Sequence, residues 1–158
     1  MATWIFQGNP DEYDDLNGYL KKEEIIWGIN QKKIISDIKI GDDVYIWKSK
    51  GKNSDIVGIV ALGNIMSKPT KMPDDEPQRF VDPKKIEEAK TDKKYRVIIK
   101  IKERRFNRRD GMLEKDTIRN NIREFPVVKM PRATNYLLKQ CHADCINELW
   151  EQRKKRKG

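Results

Sequence analysis

Apolar and polar positions alternate in short stretches along most of this chain, and that rhythm predicts strands more often than helices. Residues 3–7, with Trp4, Ile5 and Phe6, read as a first strand. Asn9-Pro10 opens a turn or short helix that runs through Tyr13 and Leu16 to about residue 20. Ile25-Ile26-Trp27 is a short apolar strand, and residues 30–35 form a helical turn. Lys39-Ile40-Gly41-Asp42 is a tight turn into a strand over 43–48, where Val44 and Ile46 share one face and Tyr45 and Trp47 the other. A polar loop over 49–55 joins it to a long apolar strand over 56–66, so the pair is a hairpin.

The pattern then breaks. Residues 67–92 hold four of the seven prolines and many charges, which predicts a long surface excursion of the functional or mobile kind. Regularity returns where Tyr95, Val97, Ile99 and Ile101 alternate with Arg96, Lys100 and Lys102, as in a half-buried strand. A basic loop over 104–109, a turn at Asp110-Gly111 and a helix over 114–123 follow. Leu138, Cys141, Cys145, Ile146 and Leu149 fall at helical spacing, with Thr134 or Asn135 as the cap. The sum is an α+β domain on a curled, mostly antiparallel sheet. One domain spans residues 1–152, and 153–158 are a basic tail or linker.

At 158 residues the chain is long enough to bury a core without staples. No apolar run is long enough for a bilayer, and no signal-peptide pattern opens the sequence. Two cysteines, Cys141 and Cys145, sit four apart with no other to pair with, which points to a reducing, cytoplasmic setting. The net charge is +9, much of it in Arg153-Lys154-Lys155-Arg156-Lys157, and the remainder keeps a positive excess. A polyanion is therefore a plausible partner.

Candidate chemistry is sparse. There is no Gly-x-Ser-x-Gly elbow and no phosphate loop. The lone histidine, His142, lies within a helix and leaves no nucleophile–base pair. Cys141, His142 and Cys145 are too few for a zinc site, and both thiols are expected on the buried stripe of the last helix. The run Asp74-Asp75-Glu76 is expected to be solvated. These readings describe a binding module, not an enzyme, with no cofactor and no metal.

Two groups could carry binding. Trp4, Trp27 and Trp47 lie in or beside strands; burial is the default reading of each. Yet Gly28 after Trp27 lets a ligand come close to the backbone, and Trp47 faces away from Val44 and Ile46. Gln7, Asn9, Asn30, Gln31, Lys48 and Ser49 flank these aromatics, which together suit a planar heterocycle. The second group is Arg104, Arg105, Arg108 and Arg109 around Phe106, either a solvated loop or a contact for phosphates and bases.

Trp4-Ile5-Phe6-Gln7, Ile26-Trp27-Gly28-Ile29-Asn30, the stretch from Gly41-Asp42 through Trp47-Lys48-Ser49, Gly58-Ile59-Val60-Ala61 and Thr134-Asn135-Tyr136 resemble an EVE domain. EVE domains belong to the PUA-like superfamily with YTH and ASCH domains. The likeness covers residues 4–150 and is densest over 4–66. It implies a pseudo-barrel of about five or six strands with flanking helices and a pocket for one flipped-out base. By resemblance Trp27 takes the place of a YTH cage wall, Trp47 and Ser49 border the pocket, and Arg132, Thr134 and Asn135 lie in the loop that closes over it. The further cage tryptophans of YTH domains are missing from residues 67–83, where Phe80 or else Trp47 would have to substitute. Gln7, Trp27, Gly28, Asn30, Trp47, Lys48, Ser49, Arg132, Thr134 and Asn135 are thus the expected base-binding set.

The function so implied is recognition of methylated adenine or modified cytosine in DNA, as the specificity module of a modification-dependent restriction system. DNA is favoured over RNA by that context, and a nuclease or ATPase would come from a partner chain or a downstream segment. The rivals are a PUA-like module that binds modified RNA and a protein-interaction domain.

Overall fold

A computed structural model describes residues 1–52 and 56–157, with side chains as far as Arg153. Asn53, Ser54 and Asp55 of the expected polar loop lie outside the described residues, as do Gly158 and the tail side chains after Arg153. The strands are β1 (Thr3–Gly8), β2 (Glu24–Gly28), β3 (Asp43–Lys48), β4 (Gly58–Ile65), β5 (Thr70–Lys71), β6 (Tyr95–Arg104), β7 (Leu113–Glu114) and β8 (Asn135–Leu137). The helices are α1 (Leu16–Tyr19), α2 (Pro83–Ala89), α3 (Lys115–Asn121), α4 (Pro126–Lys129) and α5 (Gln140–Lys157), with 3-10 turns at Lys32–Asp37 and Pro77–Arg79.

One sheet runs in the order β2-β6-β4-β3-β1-β8, with β5 added to β6 and β7 to β4. All pairings are antiparallel except β1 with β3. The sheet curls until its two edge strands meet through side chains. Asn135 of β8 donates from Nδ2 to the Gly28 carbonyl of β2 at 3.2 Å, and its Oδ1 accepts from the Asn30 N–H at 3.2 Å. Register shifts between Ile46 and Trp47 and between Leu62 and Gly63 supply curvature, as β-bulges do. Gly63 permits the tight β4–β6 approach, since a Cβ there would lie 2.5 Å from the Lys100 carbonyl oxygen. The expected curled α+β sheet is the fold observed.

Both faces of the central strands are buried, and this splits the core in two. Inside the curl, Trp4, Phe6, Val44, Ile46, Ile25, Val97 and Ile99 pack with Leu16, Tyr19 and Leu20 of the α1 region. Outside it, Ile5, Tyr45, Trp47 and Ile59 pack against Ile118, Phe125, Ile146 and Trp150 from the later helices. The turn before β3 is locked from within. Gly41 takes a φ of 92°, which suits glycine, and Asp42 turns a buried carboxylate inward. That carboxylate accepts from Trp4 Nε1 at 2.9 Å and from the N–H groups of Lys39 and Ala2 at 2.9 and 3.2 Å.

Three expectations need correction here. Residues 67–92 are not a featureless excursion: they contain β5, a 3-10 turn and α2, and Asp82 caps α2 by accepting from the Lys84 N–H at 3.0 Å. Neither Thr134 nor Asn135 caps the last helix, which begins at Gln140, because Asn135 is already paired in β8 with Phe6. Cys141 is exposed and Cys145 only half-buried; the inward stripe of α5 is Ala143, Ile146 and Trp150. Among the described residues no helix is long and apolar enough to cross a membrane.

Candidate functional site

Where β1 and β2 end beside α1, the curl opens into a cavity of about 170 Å³. Its aromatic lining comes from Trp27 on β2, Tyr19 on α1, Tyr13 just before α1 and Phe80 after the second 3-10 turn. Tyr13 joins the set together: its ring meets Phe80 edge-on at 4.9 Å and Tyr19 at 5.1 Å, and Tyr13 and Phe80 form a backbone bridge. Trp27 packs one edge onto Gly8, where an added Cβ would lie 3.1 Å from its ring and 3.0 Å from Leu16. Gln7, Asn30 and Thr134 form part of the polar rim. Asn30 Nδ2 donates to Thr134 Oγ1 at 2.6 Å, and Gln7 Nε2 donates to the carbonyls of Pro131 and Ala133 at 2.8 and 2.7 Å. The late loop is thereby tied to β1 and β2.

Polar groups meet at the inner wall. Tyr13 Oη is buried with no hydrogen-bond partner among the described residues, an arrangement that costs about 1–3 kcal/mol when nothing fills it. Burial, with Asp74, Asp75 and Glu76 nearby, holds the Tyr13 phenol well above its ordinary range, so it stays a neutral O–H. Asp74 also lines the cavity. Burial pushes its carboxyl up, the N–H of Glu76 at 2.8 Å pulls the other way, and the neighbouring Asp75 adds to the rise. Burial and the adjacent Arg96 lower the Lys94 ammonium. The inner wall thus holds groups whose charge is weakly solvated and easily altered by a ligand.

The acidic run is not simply solvated. Asp75 accepts from Tyr19 Oη at 2.7 Å and from Lys22 Nζ at 2.5 Å, and Glu76 pairs with Arg79 at 2.7 Å. Burial raises Glu76, and the bonds from Lys22 and Arg79 more than offset it. These links buttress Tyr19 and hold the segment that carries Phe80.

Of the residues singled out from the sequence, Gln7, Asn9, Trp27, Gly28, Asn30, Phe80 and Thr134 meet at this cavity. Others do not. Trp47 is 2% exposed, lies in the outer core and stacks at a tilt on Phe125, centroids 6.3 Å apart, so it is no wall of this cavity and lines only the depression beside it. It does face away from Val44, but the later helices cover that face. Asn135 is 2% exposed with both ends of its amide engaged in closing the barrel. Lys48 is buried, and Ser49 Oγ donates to the Gly8 carbonyl at 3.2 Å. The space left at Gly28 is taken by Lys94, whose Cε and Nζ would lie 3.0 Å from a Cβ there. Trp47, Ser49 and Arg132 line a neighbouring depression that shares Gln7 and Thr134 with the cavity.

The arginine loop divides in the same way. Arg104 donates to the carbonyls of Leu20 and Lys22, each at 2.6 Å. Arg105 is 4% exposed, lies 3.7 Å over the Trp150 ring, and bonds the Trp150 carbonyl at 2.7 Å and Glu103 at 2.8 Å. Phe106 packs against the inner core and is no wedge for bases. Arg108 and Arg109 are exposed, with Arg108 paired to Glu114 at 2.6 Å. Sequence reasoning missed Tyr13, Tyr19, Asp74 and Lys94. An aromatic stranded in a polar stretch, as Tyr13 is, was the available signal.

Comparison with known proteins agrees with this geometry. A family model described as the EVE domain matches residues 2–149. A hypothetical protein from Leishmania major superposes with a TM-score of 0.66 at 17% identity, over 98% of this chain and 97% of that one. The human THYN1 protein, solved in complex with 5-methylcytosine containing DNA, gives 0.66 at 14% identity, over 96% and 98%. An ASCH protein from Zymomonas mobilis gives 0.53 at 6% identity, over 93% and 97%. No curated protein matches the chain by sequence. At such identities the neighbours establish a shared PUA-like fold, while the family model spans nearly the whole sequence, and on that ground the chain belongs to the EVE-domain family.

Proposed function

We propose that this EVE domain binds one modified pyrimidine base, extruded from DNA, in the cavity walled by Trp27, Tyr13, Tyr19 and Phe80, and that it catalyses nothing. The observation that carries this reading is the size and lining of the cavity together. An apolar cavity of about 150 Å³ holds a benzene ring, and this one measures about 170 Å³. The space accommodates a six-membered heterocycle, and modified cytosine is the smaller of the two candidate bases. The aromatic rings supply stacking faces, and stacking is worth about 1–3 kcal/mol per base. The Tyr13 hydroxyl and the Asp74 carboxyl supply edge contacts for ring nitrogen and exocyclic groups. Trp27 stacks, and Gln7, Asn30 and Thr134 hold the rim.

The human THYN1 protein bound to 5-methylcytosine containing DNA supports the choice of ligand. A reader of this kind serves as the specificity module of a modification-dependent restriction system, with nuclease or ATPase activity on a partner chain or another segment, in the cytoplasm. The test is affinity for otherwise identical oligonucleotides carrying cytosine, 5-methylcytosine, adenine or methylated adenine, as DNA and as RNA. Tighter binding to 5-methylcytosine DNA supports the reading. Equal affinity across the bases, or preference for modified RNA, overturns it.

A further inference from the structure

The cavity does not stand alone on its face of the molecule. On one side it runs into a depression of about 420 Å³ with which it shares Gln7, Asn9, Glu12 and Thr134. On the other it runs into a wider one of about 760 Å³ with which it shares Asn30, Glu88 and Lys94. Through these shared residues the three form a continuous trough that includes the aromatic pocket.

Both arms are positive. The wider arm is lined by Lys32, Lys71, Lys93 and Lys94 against Glu87 and Glu88. Glu87 is already paired with Lys90 at 3.2 Å, and Lys71 sits 5.4 Å over the Tyr95 ring, which fixes it above the floor. The other arm carries Lys115 and the exposed Arg132, and its acidic Glu12 is paired with Lys85 at 3.4 Å. By contrast, Arg108 and Arg109 line a separate hollow with Glu114 that shares no residue with the cavity.

We propose that a DNA strand lies along this trough, with phosphates on one side of the extruded nucleotide held by Lys32, Lys71 and Lys93 and those on the other side by Lys115 and Arg132. Polyanion contact through several cations on either side of a base-sized pocket is what threading one nucleotide inward demands, because the backbone must be pinned on both flanks for the base between to turn. The placement rests on the base-binding reading above, and it removes the Arg104–Arg109 loop from the interface.

The test is the slope of log affinity against log salt, measured by fluorescence anisotropy with labelled DNA carrying 5-methylcytosine or cytosine. Removing one cation–phosphate pair lowers the slope by about 0.9 on duplex and about 0.7 on single strands. Replacing Lys32, Lys71 and Lys93 by Ala should flatten the slope by roughly two, and Lys115→Ala with Arg132→Ala by more than one. Arg108→Ala with Arg109→Ala should leave it unchanged. Circular dichroism melts confirm that each variant is folded. Unchanged slopes in both trough variants, or a flattened slope in the Arg108 and Arg109 variant, overturn the track. Flattened slopes without preference for 5-methylcytosine keep the track and reject the base reading. Preference with unchanged slopes does the reverse, and no binding to DNA at low salt overturns both.

Discussion

Asn135 on the last strand and Gly28 at the end of β2 join the two free edges of the sheet, through an amide hydrogen bond of 3.2 Å to the Gly28 carbonyl. The other end of the same amide accepts from Asn30, which in turn bonds Thr134 on the pocket rim. One side chain therefore contributes both to closure of the barrel and to the shape of the binding cavity. Asn135→Ala leaves two part-buried backbone groups unpaired and should destabilise the fold by about 1–3 kcal/mol. Asn135→Asp keeps an acceptor for Asn30 but buries a carboxylate against the Gly28 carbonyl oxygen, and at neutral pH should cost at least as much as the alanine variant. Urea denaturation of the three proteins checks the order.

Tyr13→Phe should separate ligand from fold. The hydroxyl is buried without a partner, so its removal should leave stability unchanged or raise it by about 1 kcal/mol. If the hydroxyl meets a bound base, affinity for 5-methylcytosine DNA should drop about tenfold, as loss of one hydrogen bond in a dry site implies. Melting temperature and affinity moving in opposite directions is the expected signature. Unchanged affinity would remove Tyr13 Oη from the base-binding edge.

Trp27→Ala is a poor probe for the same cavity. Trp27 is 8% exposed and belongs to the inner core, so truncation should cost about 3–5 kcal/mol. Phe80, which is half-buried, is the better target. Phe80→Ala should weaken binding more than it lowers stability, read by anisotropy and urea denaturation on the same preparation.

The Asp74 carboxyl gives a pH signature whose sign follows from its surroundings. Burial raises its folded pKa above the ordinary 3.8. The native state then holds a proton that the unfolded chain releases, so this group lowers stability as pH rises from about 3.8 through the folded value. Asp74→Asn keeps the acceptor for the Glu76 N–H and removes the titration. Subtracting its stability from the wild type at each pH cancels the other carboxylates. The difference should favour the variant increasingly as pH rises above about 3.8 and level off once the folded value is passed, measured by urea denaturation. A flat difference would show that Asp74 is not buried against its charge.

Much of the sheet was legible from alternation alone, and the site was legible only where it borders the sheet. Trp27 and Asn30 stand at the end of a regular strand beside a glycine, so their position followed from the pattern. Tyr13, Asp74 and Phe80 come from irregular segments, and only tertiary packing brings them to Trp27. Trp47 reaches only the depression beside the cavity because its strand is apolar on both faces, a pattern that signals a sheet covered on both sides. The arginine loop misleads because β6 runs as far as Arg104, which draws Arg104 and Arg105 into the fold and leaves Arg108 and Arg109 outside.

That division predicts sharply unequal effects within one basic run. Arg105→Ala removes a part-buried ion pair with Glu103, a buried bond to the Trp150 carbonyl and the stacking on the Trp150 ring. Destabilisation by about 2–4 kcal/mol is expected, because the buried Trp150 carbonyl loses its donor and the Trp150 ring its stacking partner. Arg108 is 79% exposed at its pair with Glu114, and Arg108→Ala should change stability by less than about 0.5 kcal/mol. Guanidinium melts of the two variants decide it.

Base extrusion makes its own demand on affinity. If the pocket takes a base out of the stack, the protein must supply the unpairing energy of a few kcal/mol in a matched duplex. A mismatch or a single strand has already given up that pairing, so binding should tighten when the same 5-methylcytosine is presented in either form. A groove reader would behave oppositely, since it needs intact duplex geometry to display base edges. The structure favours the first outcome: the cavity lies at the end of the sheet, and its polar rim consists of short side chains such as Gln7, Asn30 and Thr134. α5, at 18 residues the longest helix described, packs its inner stripe against the outer core and does not line the cavity. A base analogue beside the target should also report unstacking, with any quenching by Trp27 relieved in Trp27→Phe. Affinities for matched, mismatched and single-stranded oligonucleotides at one salt concentration give the comparison. Tighter binding to the perfect duplex than to both others would reject extrusion while leaving the cationic trough intact.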